Sequence, residues 1–208
     1  VNNYSNYVIK DGKFVGDFET MYQQCDDPWN QSSTNYILDT RKSIVKHWCQ
    51  KLSTTFNIKN IVELGCGFGD MTNDLHNLGF NCLGVDISQT AVDKAKVKHS
   101  DCVFSVGSVN DFDLIKQFDA DVIIMAELTW YILDDLDKFI SNIKQYAKDR
   151  NRPTFLIHLL VTYDDGVQQY GKDKFTNLDE ILKYFNLDYV EYGFVKGVSQ
   201  GTFFVASL

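Results

Sequence analysis

From Asn60 onward, short apolar runs alternate with stretches whose apolar residues recur at helical spacing. NIVELG (Asn60–Gly65), NCLGVD (Asn81–Asp86), CVFSVG (Cys102–Gly107), ADVIIMA (Ala120–Ala126) and TFLIHLL (Thr154–Leu160) read as strands. ADVIIMA is apolar after its opening Asp121, as a strand covered on both faces should be. Between the strands, Met71, Leu75 and Leu78 share one helical face, and Ser88 stands where an N-cap opens the next helix. Leu136, Phe139, Ile140 and Ile143 follow the i, i+3, i+4, i+7 rule, as do Leu178, Ile181, Leu182 and Phe185 with Thr176 or Asn177 as cap. Then the pattern changes: DYVEYGFV and TFFVASL flank the Gly-containing KGVSQG, which predicts an antiparallel hairpin.

Five β/α alternations and a hairpin predict an α/β fold: a doubly wound, mostly parallel seven-stranded sheet with a C-terminal antiparallel hairpin. Ahead of it, Leu38, Val45, Cys49 and Leu52 track one face of a helix from Asn35 to Ser53, which would lie over the strand ends. The chain thus divides into an N-terminal helical cap or lid, residues 1–57, and an α/β unit, residues 58–208, within one structural domain. The cap contains QCDDPWNQSSTNY (Gln24–Tyr36), with Trp29 and one of only two prolines in the chain. Trp29 is there either to staple the segment down or to touch a ligand.

Composition narrows the function. A formal charge of −8 over 208 residues argues against nucleic acid, whose phosphates demand a basic face, and against an anionic membrane surface. The five cysteines, Cys25, Cys49, Cys66, Cys82 and Cys102, are odd in number and lack CxxC spacing, so they read as free thiols of a reducing compartment, with no metal motif. No apolar run approaches the ~20 residues of a membrane span. The default location is the cytoplasm.

The first strand ends in VELGCGFGD (Val62–Asp70), with glycines at 65, 67 and 69. Alone this is a turn. Its context is a strand before, a helix after, acidic Glu63 in the strand and acidic Asp86 ending the next strand, and ligands of open α/β sheets sit at the carboxyl ends of the strands. A dinucleotide would expect GxGxxG, whereas position 70 is Asp, poorly placed against a pyrophosphate. An adenosyl sulfonium carries no phosphate and tolerates acidic walls.

The ordered set VELGCGFGD, GVDIS, VGSVNDF and DVIIMAEL resembles the motifs of class I S-adenosylmethionine-dependent methyltransferases. That resemblance implies a Rossmann-like methyltransferase fold with S-adenosylmethionine as cofactor and S-adenosylhomocysteine as product. It implies that Glu63, Gly65, Cys66 and Gly67 line the methionine end, that Asp86 binds both ribose hydroxyls, that Ile87 packs on adenine, and that Ser108 and Val109 border the adenine edge. Many relatives carry Asp where Ser108 stands. DPW with a Tyr seven residues after the Trp, together with AELTWYIL after the fourth strand, is similar to the NodS-type branch, which acts on an amino-sugar nitrogen. This implies that Trp29 and Tyr36 form a lid over the cofactor and that carbohydrate modification in polysaccharide biosynthesis is the setting. After Tyr36 the chain departs from the branch, with ILDTRK in place of its usual acidic and basic residues: either Arg41 stands in for the branch's basic position or the substrate differs.

The nucleophile of methyl transfer needs positioning and a general base. The candidates are Glu127, at the end of the fourth strand beside the sulfonium, Tyr131, and His158 from the fifth strand. His158 reads first as a buried structural histidine and second as a base. Trp130, Tyr131, Tyr163 and Asp164 are candidates for acceptor contact, with Tyr170 in the same polar loop. The reading is a methyltransferase acting on N or O of a small polar acceptor: a sugar, an aminosugar or a nucleotide-linked saccharide precursor. A dinucleotide-dependent oxidoreductase and a non-catalytic cofactor-binding subunit are the alternatives.

Overall fold

A computed structural model of the chain describes residues 5–30, 40–162, 170–196 and 200–208. Among these, seven strands form one sheet: β1 (Asn60–Leu64), β2 (Asn81–Asp86), β3 (Val103–Val106), β4 (Val122–Ala126), β5 (Phe155–Thr162), β6 (Asp188–Lys196) and β7 (Gln200–Ser207). Their order is β3-β2-β1-β4-β5-β7-β6, parallel from β3 to β5, with β7 antiparallel between β5 and β6. Besides a single turn at Ser5–Val8 and a 3-10 turn at Thr129–Tyr131, the helices are α1 (Phe18–Gln24), α2 (Thr40–Phe56), α3 (Asp70–Asn77), α4 (Gln89–Lys98), α5 (Phe112–Phe118), α6 (Leu136–Arg150) and α7 (Leu178–Phe185).

The apolar runs follow from the two covered faces of the sheet. Along β4, Ile123 and Met125 point into a core with Phe139, Ile143, Ile181 and Phe185, while Val122 and Ile124 join Val45, Trp48, Leu52, Met71 and Leu75 on the opposite face. A strand with helices on both sides leaves no position for a polar side chain. Its opening Asp121 sits at the strand start, where its carboxylate accepts from the Lys59 and Asn60 amides at 2.8 and 2.9 Å and from Arg150 Nη2 at 2.7 Å.

Ser88 caps α4 by accepting from the Ala91 amide at 3.1 Å, and Asn177, not Thr176, caps α7 through the Glu180 amide at 3.0 Å. Three expectations shift. Leu78 is 42 % exposed, because α3 stops at Asn77 and the chain turns through Gly79 at φ 92°. The capping helix runs on to Phe56, whose ring lies 5.0 Å from that of Phe155; residues 35–39 of the expected helix lie outside the described residues. Helices α1 and α5, and a short hairpin pairing Ile9–Lys10 with Lys13–Phe14, were not anticipated, being too short for a periodic signal.

Helix α1 is fixed to the start of α4 by one carboxylate. Glu19 accepts from Ser88 Oγ (2.6 Å), the Thr90 amide (3.2 Å) and Thr90 Oγ1 (2.5 Å), and the Ser88 and Thr90 bonds hold its pKa down at about 2. Lys94 Nζ donates to the Tyr22 carbonyl at 2.7 Å. The N-terminal segment therefore lies against the glycine loop, with the Tyr22 ring 5.4 Å from Phe68.

Candidate active site

The sheet order reverses between β1 and β4, since one half of the chain winds out to β3 and the other to β5. Such a switch point leaves a crevice beyond the carboxyl ends of the strands. Here it is a cleft of about 790 Å³, with Glu63, Leu64 and Gly65 from β1 and its loop, Asp86 and Ile87 from the end of β2 and beyond, Gly107, Ser108 and Val109 after β3, and Ala126, Glu127 and Leu128 from the end of β4 and beyond.

The glycine loop is shaped by contacts a side chain would forbid. Gly65 has φ 70°, and a Cβ there would come within 2.9 Å of Leu128 Cδ1. Its amide and that of Cys66 donate to the Val85 carbonyl at 2.8 and 3.0 Å, tying the loop to β2. Gly67 donates to Asp86 Oδ2 at 2.9 Å, and the Ser88 amide donates to Oδ1 at 3.0 Å. These bonds set the Asp86 carboxylate in one orientation at the cleft wall. Burial raises its pKa, opposed by the backbone N–H groups of Ser88, Gly67 and Ile87. Neither Cys66 nor Gly67 faces the cleft, which corrects their expected place. The Cys66 thiol packs under α4 with Val92, Ala95 and Phe104, and Gly67 acts through its bond to Asp86. Ile87 is 60 % exposed at the mouth.

At the β1 end, Glu63 is buried, accepts a bond from Thr72 Oγ1, and is pushed up to about 7 by desolvation despite that hydroxyl and the nearby Lys42 ammonium. Burial lowers Lys42 to about 8, against the pull of Glu63 and of Asp70, Asp74 and Glu127. Lys42 lines the cleft and was missed. The signal was the consecutive cations of TRK at the start of a helix lying over the strand ends, but only the helix rotation tells which one turns toward Glu63. Asp70, opening α3, is met by Lys98 at 2.7 Å and His99 at 3.1 Å, so the helix start is already occupied by a carboxylate with its own partners.

Arg41 turns instead to Glu127, with which it forms an ion pair. Its stem crosses β7 at Gly201, where a Cβ would be 2.4 Å from Arg41 Cδ. The second carboxylate oxygen of Glu127 accepts from the Val161 amide at 2.8 Å, and the residue is held at φ 58°. Glu127 thus has a partner at each carboxylate oxygen.

His158 corrects the general-base reading. Its ring is fully buried, stacked on Phe204 with centroids 4.5 Å apart, with Nε2 2.7 Å from Thr129 Oγ1, and it does not line the cleft. Burial lowers its pKa from 6.5 to about 3, so it stays neutral in the fold. As pH falls below 6.5 the unfolded chain takes up a proton that the native state refuses, so stability is lost through the window from 6.5 toward 3. Each pH unit well below 6.5 costs about 1.4 kcal/mol. Urea midpoints followed from pH 7 to 5 should fall more steeply for the wild type than for His158→Gln; equal slopes would show that the histidine charges freely.

An aromatic wall closes the other side. Trp29 is half-buried, its Nε1 donating to Tyr22 Oη at 2.8 Å and its ring 5.7 Å from Tyr131. Phe18 meets Tyr131 edge-on at 5.5 Å, and Phe14 stacks on Tyr170 at 6.0 Å. Phe14, Phe18, Trp29 and Tyr131 all face the cleft. Trp130 reaches it with little surface, being 6 % exposed, donating to the Val161 carbonyl at 2.8 Å and packing on Phe175. Tyr36, Tyr163 and Asp164 lie outside the described residues. Phe14 and Phe18 carried no sequence signal, since nothing local ties residues 14 and 18 to position 131. Among the described residues no cluster of His, Cys, Asp or Glu is placed to hold a metal, all five cysteines are free, and no helix is long and apolar enough to cross a membrane.

A family model described as a methyltransferase domain matches residues 61–150. The fold is similar to N-methyltransferase NodS from Bradyrhizobium japonicum WM9 in complex with S-adenosyl-L-homocysteine, at 16 % identity and TM-score 0.64, over 91 % of this chain and 97 % of that one. It is also similar to the bifunctional kinase-methyltransferase WbdD, at 15 % identity and TM-score 0.64, over 87 % of this chain and 42 % of that one. Magnesium protoporphyrin IX methyltransferase (ChlM) from Synechocystis PCC 6803 with bound SAH aligns at 14 % identity and TM-score 0.56, over 81 % and 82 %. No curated protein matches by sequence. The match to the methyltransferase-domain model spans residues 61–150, and the fold is the Rossmann-like one these methyltransferases share. The chain resembles the class I S-adenosylmethionine-dependent methyltransferases, NodS among them.

The residues present fit the cofactor of that class. A zwitterionic amino-acid head needs one cation and one carboxylate, and Lys42 and Glu63 supply them at the β1 end. A ribose diol needs a fixed carboxylate, which Asp86 is, and a purine needs an apolar face, which Ile87 and Val109 offer.

Proposed function

We propose that this protein transfers a methyl group from S-adenosylmethionine to a nitrogen or oxygen of a small polar acceptor: a sugar, an aminosugar or a nucleotide-linked saccharide precursor. The observation that carries the reading is the single cleft in which the oriented Asp86 carboxylate, the close-packed Gly65 turn and the wall of Phe18, Trp29 and Tyr131 converge. Ring faces whose indole N–H is already engaged, as in Trp29, suit the C–H faces of a sugar. NodS, an N-methyltransferase by name, supports nitrogen as one of the two acceptor atoms.

S-adenosylmethionine supplies an electrophilic methyl on a positive sulfur; the chain orients and encloses. Asp86 accepts from the ribose hydroxyls, Lys42 and Glu63 hold the amino-acid head, and Ile87, Ser108 and Val109 border the base. Glu127, locked by Arg41 and the Val161 amide, sets the floor beside the reacting centre. Tyr131 is the remaining candidate for contact with the nucleophile, and Trp130 supports it from below. The segment up to residue 57 acts as the cap on residues 58–208, excluding water.

Calorimetry should give micromolar binding of S-adenosylmethionine and S-adenosylhomocysteine and none of NADH. A panel of sugars and nucleotide sugars, read by mass spectrometry, should gain one methyl. NADH binding with neither adenosyl compound bound would sink the reading. Trp29→Ala should weaken S-adenosylhomocysteine about 10-fold and lower the melting temperature, since the ring both lines the cleft and anchors α1. Trp29→Phe, which keeps the ring but not the bond to Tyr22, should lower only the melting temperature. If Trp29→Ala left affinity and rate unchanged, the residue would be a staple alone.

A further inference from the structure

Resting on the S-adenosylmethionine reading, the base of the cofactor would lie beside the ribose site at Asp86. Ile87, Val109 and Ile132 line the cleft together with Asp86 and offer apolar faces, and Ser108 and Asp135 are polar residues that line it with them. The polar groups of Ser108 are engaged within its own turn. Its amide donates to Asp111 Oδ2 at 2.6 Å, and its hydroxyl oxygen accepts from the Asn110 amide at 3.2 Å. Ser108 is thus built into a turn and presents no fixed acceptor to the base.

Asp135 is in the opposite situation. It occupies the position preceding α6 yet makes no capping bond with its side chain, the usual occupation of an aspartate there. Its carboxylate is drawn sideways by Asn110, whose Nδ2 donates to Oδ1 at 2.7 Å. That bond fixes one oxygen and leaves the other as an acceptor at the rim. We infer that Asp135, oriented by Asn110, accepts the exocyclic 6-amino group of the adenine. Through this residue the cleft selects a 6-aminopurine over a 6-oxopurine. The acceptor for the base edge comes from the loop after β4, compensating for the serine at position 108.

The test compares S-adenosylhomocysteine with S-inosylhomocysteine by calorimetry, which needs no methyl acceptor. The wild type should prefer the amino compound by about 10-fold, because the 6-oxo group sets an acceptor against a carboxylate. Asp135→Ala should bring the ratio close to one, mainly by weakening the amino compound. Asp135→Asn should bring it to one or reverse it: Asn110 still donates to the amide oxygen, so the new amide directs its N–H toward the base, where a 6-oxo group accepts. Thermal melts of both variants should stay near the wild type, as no capping bond is removed. An unchanged ratio in the folded variants would overturn the assignment while leaving the cofactor reading intact. Failure of wild-type protein to bind S-adenosylhomocysteine at all would overturn both.

Discussion

Asp86→Ala is expected to weaken binding of S-adenosylhomocysteine by roughly 100-fold or more, because two hydroxyl bonds to a charged acceptor are lost, each worth about 1.5–3 kcal/mol. The same change orphans the Gly67 and Ser88 amides, so the melting temperature should fall as well. Affinity is therefore measured at a temperature where circular dichroism shows the variant folded. Asp86→Asn separates the two effects. It preserves shape but sets an N–H against the Gly67 or Ser88 N–H, so the loop is forced to choose one partner. Affinity of Asp86→Ala within threefold of the wild type would remove Asp86 from the ribose site and leave it a loop fastener.

The second large effect concerns stability. The Phe104 ring occupies space vacated by two glycines. A Cβ on Gly69 would lie 2.4 Å from its Cε1, and a Cβ on Gly84 would lie 2.6 Å from its Cδ1. Gly69→Ala should cost about 3 kcal/mol or more, since the steric conflict adds to a left-handed backbone at φ 76°. Gly84→Ala should cost about 1–3 kcal/mol of overpacking. The two differ in rescue. Trimming the ring in a Gly84→Ala, Phe104→Leu double variant should recover part of the loss. The same trimming should leave most of the Gly69→Ala defect, because the backbone penalty persists. Urea unfolding of the four single and double variants measures this. Full rescue at position 69 would show that the turn tolerates a side chain and that the third glycine of the loop is there only for the ring.

The parts of this molecule that could be read from the chain are those where a local pattern and a tertiary demand coincide. Continuous apolar runs such as ADVIIMA exist because helices cover both faces of β4, so the run announces the burial. The glycine loop was legible because φ values of 70° and 76° at Gly65 and Gly69 exclude most other residues, which forces the spacing into the sequence. Asp86 was legible by its position at a strand end. The aromatic wall was not: Phe14 and Phe18 belong to segments of two and seven residues, too short for periodicity to speak, and Phe14 meets Tyr170 and Phe18 meets Tyr131 only after the chain has folded back. Arg41 and Lys42 show the same limit at finer grain. Adjacent cations on one helix diverge, one to Glu127 and the other toward Glu63. His158 misled because strand position places a residue near the cleft without saying which face of the sheet it takes.

The path of Arg41 across Gly201 has a bearing on how the chain assembles. The helix carrying Arg41 is synthesised early, and the strand it must cross is synthesised late. The Arg41–Glu127 pair therefore joins two distant parts of the chain through the β7 backbone, and a chain without that strand would lose the groove that carries the guanidinium to Glu127.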